Sequence, residues 1–291
     1  MGPILWAGCV DYDLNRGKDD VSGGDTGGYA DEELPGDVAI PDVCDDVALD
    51  AEEVGFTDSC FSGDGSFDPV VEWEVQGGSC MAGPAVGDLD GDGIPEIVYV
   101  RTANVLASKG DLVALRGDGS GELWRAPGKI GYGSPPALGD INGDGFPEVV
   151  AVREYTNSML SVGDYTVVAY DSRGQQIWES PHFTDKSFDY ATAVGIHDMD
   201  HDGEPEIVAG RVILNSDGTL RAEGAFGRGS YGQMTFGGLL MSEASVSAVA
   251  DIDLDGTEEL IVGNAAYRLD GTTYWYQPTY QDGMVSVANL D

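Results

Sequence analysis

The stretch Gly87-Asp88-Leu89-Asp90-Gly91-Asp92-Gly93-Ile94-Pro95-Glu96-Ile97-Val98 decides how this chain is read. Counted from Asp88, it sets acids at positions 1, 3, 5 and 9 of a tight, glycine-turned loop. The pattern returns as Asp140-Ile141-Asn142-Gly143-Asp144-Gly145-Phe146-Pro147-Glu148. It returns again as Asp198-Met199-Asp200-His201-Asp202-Gly203-Glu204-Pro205-Glu206. A fourth copy reads Asp251-Ile252-Asp253-Leu254-Asp255-Gly256-Thr257-Glu258-Glu259, and the closing Asn289-Leu290-Asp291 looks like the start of a fifth.

The residue types suit calcium, a hard cation that takes six to eight oxygens in flexible geometry. Alternate residues of a tight loop can turn short carboxylates or amides toward one centre. Glycine at position 6 permits the positive φ that other residues resist. The backbone carbonyl of position 7 (Ile94, Phe146, Glu204, Thr257) can then point inward, and the acid at position 9 closes the shell. An acidic β-turn without metal is the plainer reading of a single copy, but four copies with the same acids favour metal. The opening resembles an EF-hand, which would need its Glu at position 12 and flanking helices. Here the flanks read as strands: Pro84-Ala85-Val86-Gly87 before and Glu96-Ile97-Val98-Tyr99-Val100 after.

Composition narrows the setting. The 291 residues suffice for one large β domain or two ordinary ones, and 43 glycines imply many turns. A net charge of −38 argues against nucleic acid or anionic membrane surfaces as partners. Four calcium ions would offset about eight of those charges. No apolar run is long enough to span a bilayer. The cysteines, Cys9, Cys44, Cys60 and Cys80, form neither a CxxC nor a zinc pattern. Calcium loops and potential disulfides both point outside the cytoplasm.

In chain order, residues 1–9 end in Ala7-Gly8-Cys9, which resembles the end of a bacterial lipobox with Cys9 as the lipidated residue. Leu5 stands one place early for that motif, and the preceding apolar region is short for a signal peptide. Residues 10–65 are rich in Asp, Gly and Glu and read as a flexible acidic tether, too poor in apolar residues to offset their ordering entropy. Lipidation of Cys9 would leave three cysteines and room for at most one intrachain bridge. Order is expected from about residue 66 to 291, with Val70-Val71-Glu72-Trp73-Glu74-Val75 as a first strand. That strand resembles Gly121-Glu122-Leu123-Trp124, Gln175-Gln176-Ile177-Trp178 and Thr273-Tyr274-Trp275, each of which closes a repeat.

The loops begin at 88, 140, 198 and 251, steps of 52, 58 and 53 residues. Each step holds four short strands, in the first roughly 82–88, 96–101, 111–116 and 121–126, with Val167–Tyr170 and Val212–Leu214 as later third strands. Hairpin chemistry (Gly-Asp-Gly-Ser-Gly, Asp-Ser-Arg-Gly, Ser-Asp-Gly, Asp-Gly-Thr) separates the third and fourth strands. A period near fifty with four strands per unit signals an all-β fold, a β-propeller of four-stranded blades. Residues 154–164 and 224–243 are read as long connections, the second carrying Tyr231, Met234 and Phe236 among glycines.

Together these features resemble the FG-GAP or VCBS repeat family, the propeller of integrin alpha subunits and many bacterial surface proteins. The resemblance covers about residues 67 to 291 and implies calcium between the first two strands of each blade. It implies ligands at Asp88, Asp90, Asp92 and Glu96; at Asp140, Asn142, Asp144 and Glu148; at Asp198, Asp200, Asp202 and Glu206; and at Asp251, Asp253, Asp255 and Glu259. Two features depart from it. Position 9 is Glu where Asp is commoner, and Glu258 replaces the Pro of the other three loops, which implies a less rigid fourth loop. The usual ring has seven blades, so this chain looks like a C-terminally truncated piece with four blades and the start of a fifth.

Other chemistry fits less well. His197 and His201 lie i, i+4, but on a strand running into a turn rather than on a helix, so zinc is disfavoured. There is no nucleophile elbow, no P-loop and no nucleophile–base pair. Acids that repeat with the blades suit ligands better than a single glycosidase site. The Trp hairpins also resemble quinoprotein propellers, which lack the Asp loops. The expectation is a non-enzymatic, monomeric, calcium-binding propeller, extracellular or at a cell surface, recognising a protein or glycan ligand. The alternative is the propeller module of a polysaccharide-degrading, lyase-like protein.

Overall fold

The structure is a computed structural model. It describes residues 70–103, 109–155, 163–184, 191–229, 234–236, 239–241, 245–280 and 282–288. The lipobox-like segment with Cys9, the acidic tether with Cys44 and Cys60, and residues 156–162 of the long connection lie outside these. Among the described residues every element is a strand and no helix occurs, so none is long and apolar enough to cross a membrane.

Among the described residues a four-stranded antiparallel meander forms four times over. The first comprises β1 (Ala85–Gly87), β2 (Glu96–Arg101), β3 (Lys109–Leu115) and β4 (Glu122–Gly131). The second comprises β5 (Ala137–Gly139), β6 (Glu148–Glu154), β7 (Tyr165–Tyr170) and β8 (Gln176–Glu179). The third comprises β9 (Val194–His197), β10 (Glu206–Ala209), β11 (Val212–Leu214) and β12 (Leu220–Glu223). After a hairpin, β13 (Met234–Phe236) and β14 (Leu239–Met241), comes the fourth: β15 (Ala248–Ala250), β16 (Glu259–Val262), β17 (Ala265–Tyr267) and β18 (Thr273–Tyr276). A single bridge, Ile130 to Arg153, joins the first two meanders into one sheet.

Period-two alternation explains why the meanders stack. On β6, Val149 and Ala151 pack with Val98, Val100, Leu112 and Ala114 of the first meander. Their neighbours Val150 and Val152 point the other way, to Ile207, Ala209, Val212 and Leu214 of the third. On β10, Val208 turns instead to Leu260, Val262 and Tyr267 of the fourth. A central meander is thus buried on both faces, which is why β6 and β7 read as continuous apolar runs. Each fully buried Val or Leu in these layers contributes about 1.5–3 kcal/mol.

A second set of contacts runs along the stack. The Trp124 ring lies over the Gly174 turn of the next meander, where an added Cβ would come within 2.6 Å of it. Trp178 covers Gly218 in the same way, at 2.4 Å. Trp73 covers Gly119, at 2.5 Å. Residues 70–75 therefore do what the closing segment of a meander does, but not as a strand. Val70 and Val71 are 81% and 82% exposed, and the first bridge in this region is Ser79 to Thr102. Among the described residues no strand pairs with 70–75. In the third meander the equivalent place is held by Ala222, whose Cβ lies against Gly271.

Two further expectations are corrected. Residues 224–243 are not simply a connection, since β13 and β14 pair within them. The fourth strand of the first meander runs on to Gly131 rather than ending near 126.

Candidate metal centres

Each acidic loop joins the first and second strands of its meander and closes on the same pair. The residue before position 1 pairs with the Glu of position 9: Gly87 with Glu96, Gly139 with Glu148, His197 with Glu206, Ala250 with Glu259. The loops are numbered one to four in chain order.

Position 1 organises the turn. Asp88 accepts from the Gly91 amide at 2.8 Å and the Gly93 amide at 2.9 Å. Asp140 does the same with Gly143 and Gly145, and those amides, Gly145 first, hold its carboxyl below the usual range. Asp198 and Asp251 accept from the amides of positions 5 and 6. Position 5 accepts the amide of position 7, so Asp92, Asp144, Asp202 and Asp255 hold Ile94, Phe146, Glu204 and Thr257. The position-6 glycines, Gly93, Gly145, Gly203 and Gly256, have φ of 84°, 87°, 89° and 93°, as the loop pattern requires.

Position 9 is the buried member. Glu96, Glu148, Glu206 and Glu259 are only 1–2% exposed. One oxygen of each accepts the backbone amide of position 2, at 2.9, 3.0, 3.0 and 3.1 Å from Leu89, Ile141, Met199 and Ile252. Burial pushes all four carboxyls up, that amide pulls them down, and the nearby aspartates push them further up. Position 2 was not singled out in the sequence. It supplies the clasping amide, and Leu89, Ile141 and Met199 also anchor their loops in the cores between meanders. Its signal is an apolar residue at a fixed place in an otherwise polar loop.

Among the described residues three carboxylate groups converge, each with ligand atoms within 4.8 Å of one another: Asp88, Asp90 and Glu96; Asp198, Asp200 and Asp202; Asp251, Asp253 and Asp255. The first group does not include Asp92, and the last two do not include Glu206 or Glu259. In loop two, Asn142 draws the set together by donating to Glu148 at 2.7 Å and Asp144 at 3.3 Å. His197 and His201 belong to none of these groups, and burial holds the His197 imidazole below its ordinary value. Cys80 is a free, exposed thiol that donates to the Ala82 carbonyl.

The donor set consists of oxygens, and it is not exhausted by the fold. Asp200 Oδ1 and Asp253 Oδ1, both at position 3, are buried without a hydrogen-bond partner. Such an atom costs about 1–3 kcal/mol unless something meets it. These clusters could therefore hold a metal ion, and their chemistry fits a hard cation.

Two arginines reach the same carboxylates, and the sequence reading missed both. Arg221 of β12 pairs with Glu206 and, at 2.9 Å, with Asp200. Arg268 lies 3.1 Å from Asp253 and 3.5 Å from Asp255. Arg221 has no periodic signal, because Leu123, Ile177 and Tyr274 precede the equivalent closing residues elsewhere. Glu258, which stands where the other loops have Pro, uses its amide: it donates to the Met199 carbonyl of loop three at 2.8 Å. The fourth loop is thus tied to its neighbour. Loops one and two also meet, since Phe146 lies against Gly91, and a cleft of about 450 Å³ beside them is lined by Asp90, Trp124, Phe146 and Arg173.

No family model matches the chain, and no curated protein matches it. Solved structures do. The biofilm matrix protein Bap1 of V. cholerae shares 21% identity at a TM-score of 0.50, over 71% of this chain and 33% of that one. The rhamnogalacturonan lyase YesW shares 17% at 0.41, over 70% and 45%. The Bacillus licheniformis rhamnogalacturonan lyase PL11 shares 18% at 0.41, over 67% and 42%. This chain thus spans between a third and a half of the length of each. The likeness to Bap1 is one of fold.

Proposed function

We propose that the chain is part of a calcium-stabilised β-propeller of the FG-GAP or VCBS kind. In this reading it is non-enzymatic, works in the extracellular space or at a cell surface, and serves adhesion or recognition of a protein or glycan. The observation that carries the metal reading is the position-9 glutamate. Four times over, a carboxylate is buried beside aspartates and clasped by the backbone amide of position 2, and only Glu206 also has an arginine on it. An anion in that position is stable only with a counter-charge at hand. The serial stacking of four-stranded meanders supports the propeller reading. A fold shared with a biofilm matrix protein accords with a surface or matrix setting.

Calcium has a structural task in this reading. Without it the carboxylates repel, and the first hairpin of each blade loosens. At ten times Kd each ion would add about 1.4 kcal/mol, so four would add roughly 5–6. Chelator should therefore lower the melting temperature by several degrees, with calcium restoring it. An unchanged melt rejects the calcium reading. A glycan-array screen beside turnover assays on acidic polysaccharides tests recognition, and turnover would reject the non-enzymatic part.

A further inference from the structure

The four loops do not carry the same counter-charge. In loop three the Arg221 guanidinium bridges the acids of positions 3 and 9, Asp200 and Glu206. In loop four Arg268 bridges positions 3 and 5, Asp253 and Asp255. Among the described residues, no ion pair reaches the carboxylates of loops one and two. The two arginines reach their loops from different places, Arg221 from within β12 and Arg268 from just after β17. The outcome is nonetheless the same: a fixed cation beside the aspartate of position 3.

The guanidinium does not fill the site. One oxygen of Asp200 takes Arg221 while the other stays buried and unpartnered, and Asp253 repeats this with Arg268. A planar fork holding one carboxylate edge leaves the opposite edge fixed in direction. We propose that Arg221 and Arg268 are resident cations. They hold loops three and four in shape when no divalent ion is present, and they aim the free aspartate oxygen at the ion when one arrives. Among the described residues loops one and two have no such cation: loop two has the neutral Asn142 amide between Glu148 and Asp144 instead, and loop one relies most on the ion. This rests on the calcium reading only for the second half of the role.

The test is thermal denaturation of the whole chain and of R221Q, R221K and R268Q, each in chelator and in millimolar calcium. In chelator, R221Q should melt about 5 °C or more below the parent, because it strands a buried glutamate. In calcium that loss should shrink to about half or less, because the ion supplies the missing charge. R221K should fall between the two, since it keeps the charge without the fork. R268Q should show the same pattern more weakly, as Arg268 is 45% exposed, and it serves if R221Q does not fold. Suppose the parent is chelator-sensitive but R221Q loses equally in both buffers. The inference then fails and the calcium reading stands. If the parent is indifferent to chelator, the calcium reading fails. The resident-cation role then survives only if R221Q is destabilised and itself becomes calcium-responsive.

Discussion

At position 4, loops one and two have glycine, Gly91 at φ 77° and Gly143 at φ 76°. Loops three and four put His201 at φ 58° and Leu254 at φ 59° in the same left-handed turn. The pairs also differ in counter-charge, with Arg221 and Arg268 present only in the second pair. So one half of the repeat series has an unstrained backbone and uncompensated carboxylates. The other half has a strained backbone and a fixed cation. A non-glycine residue in the left-handed region costs about 1–2 kcal/mol. Loops three and four bear that cost while a guanidinium holds them, which implies that backbone ease and electrostatic support can substitute for each other here.

The largest expected effect probes the electrostatic half. Glu96→Ala removes the acceptor of one buried amide, that of Leu89, and should cost about 1–3 kcal/mol in chelator. Glu206→Ala removes the acceptor of Met199 and also one of the two carboxylates that hold Arg221, leaving it Asp200, and should cost about 1.5–3 kcal/mol more than the Glu96 variant. Urea denaturation of both variants measures the gap. Equal losses would show that Arg221 gives loop three nothing that loop one lacks.

The next pair probes the backbone half. Gly91→Ala puts a Cβ at 2.9 Å from the Phe146 ring in a positive-φ turn, so about 1–2 kcal/mol should be lost. Leu254→Gly runs the other way. Leu254 is 88% exposed, so almost no packing is given up. Relief of the left-handed strain outweighs the extra chain entropy of glycine, and a gain of about 0.5–1 kcal/mol follows. A destabilised L254G in thermal melts would mean that the Leu254 side chain, or a partner for it, supports the loop after all.

What the sequence made legible follows from what was periodic. Acids at positions 1, 5 and 9 and glycine at 6 recur because every loop needs the same amide acceptors and the same positive φ, so counting found them. The strands of the meanders recur for the same reason, as alternating or continuous apolar runs. What escaped was not periodic. Arg221 and Arg268 approach from different strand ends, and nothing in a one-dimensional pattern joins Arg221 to Asp200, twenty-one residues earlier. Residues 70–75 show the opposite failure. Their alternation ending on a Trp resembles the closing strands, and Trp73 does take the closing position over Gly119. Strand geometry, however, needs a paired edge, and among the described residues none pairs with 70–75, which the local sequence does not encode. Position 2 was visible as Leu89, Ile141, Met199 and Ile252, but its importance lies in an amide, which every residue type carries.

Position 8 gives the smallest expected effect, and it separates rigidity from connection. Proline at 95, 147 and 205 stiffens the first three loops but offers no amide, whereas Glu258 offers one and spends it on the Met199 carbonyl of loop three. Glu258→Pro would add stiffness worth about 0.4–1 kcal/mol through the unfolded chain. It would also delete a hydrogen bond worth about 0.5–1.5 kcal/mol and leave the carbonyl of Met199, a wholly buried residue, without that donor. The second effect is the larger, so the expected outcome is a net loss of about 0.5 kcal/mol. It should appear with faster amide exchange in loop three than in loop one, because only loop three loses a neighbour's support. A variant more stable than its parent would mean that the bridge between loops contributes less than a stiff corner does. The fourth loop would then be the weakest of the series for want of its proline.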